Sequence, residues 1–390
     1  MKGVQNERKE ACCGCGACVA ACPHGCLAMV RDEEGLDYPK VDPANCTRCG
    51  QCLAVCPVAH QPDSAAHRAR PAAHICRHRD NALRGLSSSG GAFSALAAEA
   101  LTGGAVVYGA AFESACTVVR HQPARNAAEI GALRGSKYVQ SDTVPAFRAI
   151  VRDLKHGRRV FFTGTPCQVA GLRKLAGDEA RGLVTCDLVC HGVPSPGVFA
   201  NYMAEQDRRY GAATTQYAFR DKANGWNCPT VRQAFANGKV YSYWDWGDPF
   251  MHGFLRNAFL RPACHTCRFT GFPRLGDLTL GDYWGVGSRF PGHDDNRGTS
   301  LVLVNTTTGE GLFRASAAGL NCNQGDLSHA IAHNQALVRP TAMPPWRQDF
   351  FDAFRRTGSF AAASRTYIHR GFLWKRRFAR LAKQAMWLMK

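Results

Sequence analysis

Long apolar runs and late acidic residues are what this sequence of 390 residues lacks. Its most apolar stretch, Gly90 to Phe112, is rich in Ala and Gly and carries Glu99. Nothing reaches the roughly 20 consecutive apolar residues of a membrane-spanning helix. The opening MKGVQNERKEACCG has no apolar core, and no signal peptide is expected. The 19 cysteines therefore do not read as the disulfide framework of an exported protein; the expected location is the cytoplasm, whose reducing poise suits cluster thiolates. Acids are scarce: 30 Asp and Glu stand against 48 Lys and Arg, a formal charge of +18. None follows Asp352, whereas the final 38 residues hold ten Lys or Arg. The length allows two or three domains with a sizeable core.

Cysteine, by contrast, is present in a fixed spacing. Cys12, Cys15, Cys18 and Cys22-Pro23 form one C-x2-C-x2-C-x3-C-P run; Cys46, Cys49, Cys52 and Cys56-Pro57 repeat it at a period of 34. This is the pattern of a two-cluster bacterial ferredoxin, where three thiolates of one run and the fourth of the other bind each [4Fe–4S] cube. By that rule Cys12, Cys15, Cys18 and Cys56 hold one cluster, and Cys46, Cys49, Cys52 and Cys22 the other. Zinc sites use two C-x2-C pairs or Cys/His mixtures rather than eight cysteines in this duplicated form. Cubes with four thiolates are negatively charged, so +18 overstates the field. Cys13 and Cys26 fall outside the pattern and are expected to be small buried apolar residues. Leu27–Val30 and Leu36–Val41 read as strands around the Arg31–Gly35 turn, and His60–Arg70 as a linker.

Farther on, Ser87, Ser88, Ser89, Gly90 and Gly91 precede an apolar helix that ends at Gly103-Gly104. Hydroxyls and free N–H groups at a helix start suit a pyrophosphate, though such a turn also serves structure alone. The loop Gly135–Ser141 adds Lys137, Tyr138 and hydroxyls. Two βα units follow: strand Arg159–Phe162 with helix Val169–Leu175, then strand Leu183–Val189 with helix Val198–Arg209. Short loops between them imply parallel neighbours, whose carboxyl ends gather ligands. Cys167 and Cys190 fall at that edge, and Cys264 and Cys267 form a C-x2-C turn downstream. Four thiols there fit a third [4Fe–4S] cluster or a structural zinc, and spacing does not separate the two. Cys186 is the reserve ligand, on one strand face with Cys190. His191 is either a hydrogen-bonding loop residue or a catalytic proton donor.

In order, SSSGGAFSAL, GSKYVQSD, TGTPCQ, CHGVPSP, CHTCRF and LGDLTLGDYWG resemble the coenzyme F420 hydrogenase/dehydrogenase beta subunit family over roughly residues 70–345. The resemblance implies an iron–sulfur flavoprotein oxidoreductase with FAD beside a [4Fe–4S] cluster, which favours iron–sulfur over zinc at Cys167, Cys190, Cys264 and Cys267. Ser87, Ser88, Ser89, Gly90, Gly91, Lys137, Tyr138, Thr163, Gly164 and Thr165 would line the flavin. The expected fold is an α+β ferredoxin-like two-[4Fe–4S] domain (1–62) fused to a mixed α/β flavin-binding domain with parallel βα units. That second domain has an N-terminal part, 70–165, and a C-terminal part, 166–345; a basic helical tail, 346–390, follows.

The expected partners are a ferredoxin-type electron carrier or reduced coenzyme F420, and a small-molecule substrate; some bacterial members of the family lie beside genes for cell-surface polysaccharides. One rival is an electron-transfer subunit feeding a separate catalytic partner. Another is a basic metal-bearing nucleic-acid binder, which would show steep salt dependence; no nucleic acid is expected. From Arg370 the tail places Trp374, Phe378, Leu381, Ala385 and Leu388 on one helical stripe with Arg376, Arg377, Arg380 and Lys383 off it. Such a helix lies peripherally on the anionic inner face of a membrane, docks on a partner, or closes the domain or a dimer.

Overall fold

The computed structural model describes residues 9–113 and 115–368. The stripe expected from Arg370 onward lies outside the described residues. Thirteen strands are described: β1 (Leu27–Arg31), β2 (Asp37–Val41), β3 (Ala72–His78), β4 (Ala105–Glu113), β5 (Val118–Ala124), β6 (Arg159–Gly164), β7 (Leu183–Leu188), β8 (Thr214–Asp221), β9 (Thr230–Phe235), β10 (Val240–Trp244), β11 (Leu278–Asp282), β12 (Ser300–Val304) and β13 (Leu320–Gln324). β1 and β2 pair as a hairpin in the cysteine-rich module, and β8, β9 and β10 make a three-stranded antiparallel sheet. The rest form one sheet in the order β13-β3-β12-β11-β7-β6-β4-β5.

The expected parallel pairing is present. β4, β6, β7 and β11 run parallel, with Val160 opposite Leu183 and Leu278 opposite Cys186. β5 and β12 pair antiparallel with β4 and β11 at the two sides, and β3 and β13 extend the sheet beyond β12 through further antiparallel pairs. β6 and β12 are buried along nearly their whole length, as strands covered on both faces must be. The helix after β6, Pro166–Ala176, begins where Pro sits in the first turn and Thr165 and Gln168 close a capping box. The helix after β7, Pro196–Tyr210, has Ser195 as its cap. Both starts satisfy N–H groups that no helical carbonyl reaches, and they fix where each β–α loop leaves the sheet. Among the described residues no helix is long and apolar enough to cross a membrane.

The helices Arg347–Thr357 and Phe360–Ile368 pack into the body, not away from it. Phe350, Phe351, Phe360 and Tyr367 share a core with Phe250, Phe254 and Phe259. Arg347 also reaches the N-terminal module, donating to Glu34 Oε2 at 2.6 Å and to the Leu260 carbonyl at 2.9 Å.

Candidate functional site

The two cysteine runs fold alike. Gly16 and Gly50 each cap a short helix, Ala17–Ala20 and Gln51–Ala54, with φ of 77° and 78°. That left-handed turn lets three cysteines curl around one point. The surroundings are unlike. Cys12, Cys15 and Cys18 are buried, whereas Cys49 is exposed and Cys46 and Cys52 are half-buried. A cavity is lined by Cys12, Cys15, Cys18 and Cys56, the set that the crossed rule assigns to one cluster. Cys22 lies with its sulfur 3.4 Å from that of Cys26. Cys26 is buried, as expected, with its thiol beside the second set.

The first run is clamped to the large sheet. Arg261 is fully buried and donates to the Cys12 carbonyl at 3.1 Å, the Asp37 carbonyl at 2.6 Å and Gln140 Oε1 at 2.8 Å, with its guanidinium 4.3 Å from the Tyr38 ring centre. Gln140 Nε2 donates to the Cys13 and Gly14 carbonyls, and Thr143 Oγ1 to the Cys15 carbonyl at 2.6 Å. A Cβ on Gly14 would stand 2.6 Å from the Arg261 guanidinium, so the clamp requires glycine there. The equivalent position of the other run is Arg48, which holds φ 58° without a glycine.

Cys167, Cys190, Cys264 and Cys267 do meet. All four line one cavity of about 240 Å³, with His191, Arg274 and Phe269 also in its wall. Cys167 is in the first turn of the helix after β6, Cys190 follows β7, and the other two belong to the turn around Pro262–Thr266. A buried ion pair holds that turn to the sheet: Arg274 Nη2 donates to Asp187 Oδ1 at 2.8 Å and to the Leu188 carbonyl at 3.2 Å, while Asp187 Oδ2 accepts from Gly276 N. Thr165 Oγ1 lies 3.2 Å from Cys167 Sγ; Val193 N and Phe269 N each donate at 3.4 Å to Cys264 and Cys267. Burial and then neighbouring thiols push Cys190 well up and Cys264 up to about 12. For Cys167 the Cys13 thiol is the leading cause. Binding metal here must expel those protons. Among the described residues no group of His, Cys, Asp or Glu is gathered tightly enough to hold a metal ion; the thiols stand around the cavity.

Cys13 is buried in an apolar core, as expected, and also lines this cavity beside Cys167. One expectation needs correction. Cys186 is not at the site. It is fully buried within β7 among Val302, Leu278 and Phe161, because β7 ends at Leu188 and the strand's two-residue alternation does not carry on to Cys190.

The loop Gly135–Ser141, ambiguous in sequence, is a hub. Ser136 N donates to Ser88 Oγ at 2.7 Å, which joins it to the serine–glycine turn. Tyr138 stacks on Phe254, centroids 4.8 Å apart, and its hydroxyl accepts from Arg220. Gln140 reaches the first cysteine run, as above. Ser141 Oγ bonds His121 Nδ1 at 3.0 Å, and His121 Nε2 donates to the Thr163 carbonyl at 2.9 Å. Lys137 Nζ donates to the Ala132 and Arg134 carbonyls, and burial pushes its ammonium down to about 7. Ser87 and Ser89 hydroxyls donate to the Leu83 and Thr299 carbonyls. Gly90 is pressed against the sheet, where a Cβ would stand 2.3 Å from the Cys76 carbonyl; Gly91 has φ 90°. Thr163 turns its hydroxyl to the Tyr108 carbonyl, Gly164 packs on Phe162, and Thr165 faces Cys167.

His191 is fixed rather than free. Its Nε2 donates to Asn257 Oδ1 at 2.7 Å, and Thr341 Oγ1 donates to its carbonyl at 2.8 Å. Burial lowers its pKa, opposed by Asn257. The sequence reading missed two cations at the same sheet edge. Lys222 Nζ donates to the carbonyls of Arg84, Ser89 and Arg297. Arg220 Nη1 pairs with Asp282 Oδ2 at 2.7 Å and its guanidinium lies over the Trp284 ring, while its buried Nε and Nη2 have no hydrogen-bond partner among the described residues. Asp282 also accepts from the indole of Trp226, which stacks on Trp284 at 4.7 Å. The one available signal was Asp282 with its aromatic neighbours in LGDYWG.

Residues 157–324 match the family model for the C terminus of the coenzyme F420 hydrogenase/dehydrogenase beta subunit, and residues 11–60 match that of the 4Fe-4S dicluster domain. No curated protein matches the chain. Among solved structures the chain is similar to one from the xenon-derivatised F420-reducing [NiFe] hydrogenase complex of Methanosarcina barkeri. The identity is 18% and the TM-score 0.48, over 70% of this chain and 93% of that one.

Proposed function

We propose that this chain, which belongs to the coenzyme F420 hydrogenase/dehydrogenase beta subunit family and carries a 4Fe-4S dicluster domain in front, is an iron–sulfur, FAD-dependent oxidoreductase with three [4Fe–4S] sites in series. The observation that carries this reading is the wall shared by two cavities. Cys13 and Val58 line both the cavity of Cys12, Cys15, Cys18 and Cys56 and the cavity of Cys167, Cys190, Cys264 and Cys267. One layer of chain separates the two thiol sets. The third set, Cys46, Cys49, Cys52 and Cys22, stands on the solvent side of the module. In this reading electrons pass from the more exposed set through the buried set to the cavity at the edge of the large sheet.

Each group supplies what the others do not: cubes pass single electrons, and a flavin couples them to two-electron chemistry with an organic acceptor. The chain's own residues bind and shield. Burial of the inner thiols excludes water, and the N–H groups of Val193 and Phe269 stand at sulfurs, where such donors tune potential. The cavity, ringed by thiols and not closed on a point, supports a cube over zinc at the third site. For the flavin, the support is the serine–glycine turn joined to the Gly135–Ser141 loop, with the unpartnered edge of Arg220 nearby as a partner for phosphate or another oxyanion. The donor in this reading is a ferredoxin-type carrier or reduced coenzyme F420, and the acceptor is a small molecule.

The test is iron and flavin content of anaerobically purified protein, followed by reduction with ferredoxin, reduced F420 or NADH. About twelve irons and one FAD per chain are expected, and Cys264→Ser should lower the iron to about eight. Eight irons with one zinc in the wild type would refute the third cluster; reconstituted protein that takes up no flavin would refute the enzyme.

A further inference from the structure

Cys76 and Cys322 belong to none of these thiol sets. They sit directly opposite each other on the antiparallel pair β3 and β13. Opposed residues of such a pair have Cα atoms roughly 4.5 or 5.5 Å apart, and both distances fall within the span a disulfide needs. Their sulfurs are 2.7 Å apart, closer than two unbonded sulfurs rest. Cys76 is fully buried and Cys322 is exposed. β13 is an edge strand held on one side only.

We propose that Cys76 and Cys322 are a reversible dithiol/disulfide pair, oxidised by low-molecular-weight disulfides that enter at Cys322. The exposed Cys322 thiolate attacks one sulfur of the small disulfide RSSR, and one RSH leaves after taking a proton. Cys76 then gives up its proton and attacks the Cys322 sulfur of the mixed disulfide, releasing the second RSH. Two thiols are oxidised and one RSSR is reduced to two RSH. The asymmetry of exposure orders the steps, since only Cys322 meets the reagent and only Cys76 is positioned to resolve it. The Cys322 thiol is also the more acidic, helped first by the Cys76 contact and also by Arg79, while burial pushes Cys76 well up.

The bond would tie the edge strand covalently to the residue whose carbonyl supports Gly90. His78, two residues on, donates from its N to the Gly90 carbonyl at 2.7 Å. Oxidation therefore stiffens the floor of the serine–glycine turn from behind, away from the cluster thiols.

The full chain, purified with its metal centres, is incubated anaerobically with oxidised glutathione, alkylated and mapped by peptide mass spectrometry. The expected result is a Cys76–Cys322 linked peptide that dithiothreitol dissolves. In Cys76→Ser the reaction should stop at a glutathione adduct on Cys322, and in Cys322→Ser Cys76 should remain unmodified. A stable glutathione adduct on Cys322 in the wild type, or a link from Cys322 to any other cysteine, overturns the proposal.

Discussion

Replacing Arg261 by Met should free the cysteine-rich module from the sheet without unfolding the rest. The side chain is fully buried and makes three charge-assisted hydrogen bonds, to Cys12 O, Asp37 O and Gln140 Oε1, over the face of Tyr38. Met fills much of the volume but leaves those three acceptors bare. Each stranded buried acceptor costs roughly 1–3 kcal/mol, and the lost cation–π contact about 1–2 more. Such terms are not additive, so about 4 kcal/mol is a fair expectation. That is a large share of a typical total of ~5–15 kcal/mol. It falls on one interface, because the core of Phe250, Phe259 and Phe350 is untouched. Arg261→Lys should recover less than half, since one ammonium cannot span the three acceptors. The assay is denaturant unfolding with limited proteolysis of the 60–70 segment. The mutant should lose cooperativity between module and body and be cut there first. If Arg261→Met unfolds at the wild-type midpoint and the segment stays intact, Arg261 is not a clamp.

Two further substitutions probe the same framework. His121 is held by burial down to about 4 from 6.5. The folded state then binds fewer protons than the unfolded between those values, so its stability is full above pH 6.5 and falls toward pH 4, by up to about 3 kcal/mol; His121→Gln should flatten that acid limb in denaturation curves taken across pH. Gly171→Ala adds a helix-favouring methyl, about 1 kcal/mol in isolation, but its Cβ would stand 2.8 Å from Cys15 Sγ. The clash should win, with lower melting temperature and less iron retained after gel filtration; a more stable variant with full iron would show that the packing of the first run against this helix is unimportant.

The grouping of the cavity-lining thiols was legible because cluster chemistry dictates spacing, and spacing is a local property. The order of strand and helix alone places Cys167 and Cys190 on one edge. The place of Cys13 in that cavity wall was not legible. Adjacent cysteines differ only in which way the turn points them, and that is decided by Gln140 and Arg261, far along the chain. The clamps themselves had no local signature: Arg261 and Arg347 look like any arginine until the Cys12 and Asp37 carbonyls and the Glu34 carboxylate arrive opposite. The Gly135–Ser141 loop carried recognisable residue types, yet its role as a hub depends on partners scattered along the chain, among them Ser88, Phe254, Arg220 and His121. Cys186 misled because a period-two rule was carried past the end of its strand.

The clamp on the first cysteine run also sets an order of events in the life of the chain. Cys12–Cys18 are synthesised well before Arg261, which donates to the Cys12 carbonyl. In the folded chain Cys12, Cys15 and Cys18 are buried. Since chains fold from the N-terminus as they emerge, any cluster that these thiols hold would enter most readily before that clamp closes. A chain cut short before Arg261 should take up iron at these thiols faster than folded, cluster-free full-length protein, and equal rates would show that the door never shuts. Any group held by a cysteine run that is shut in by a residue so much later in the chain could be replaced only when that clamp reopens.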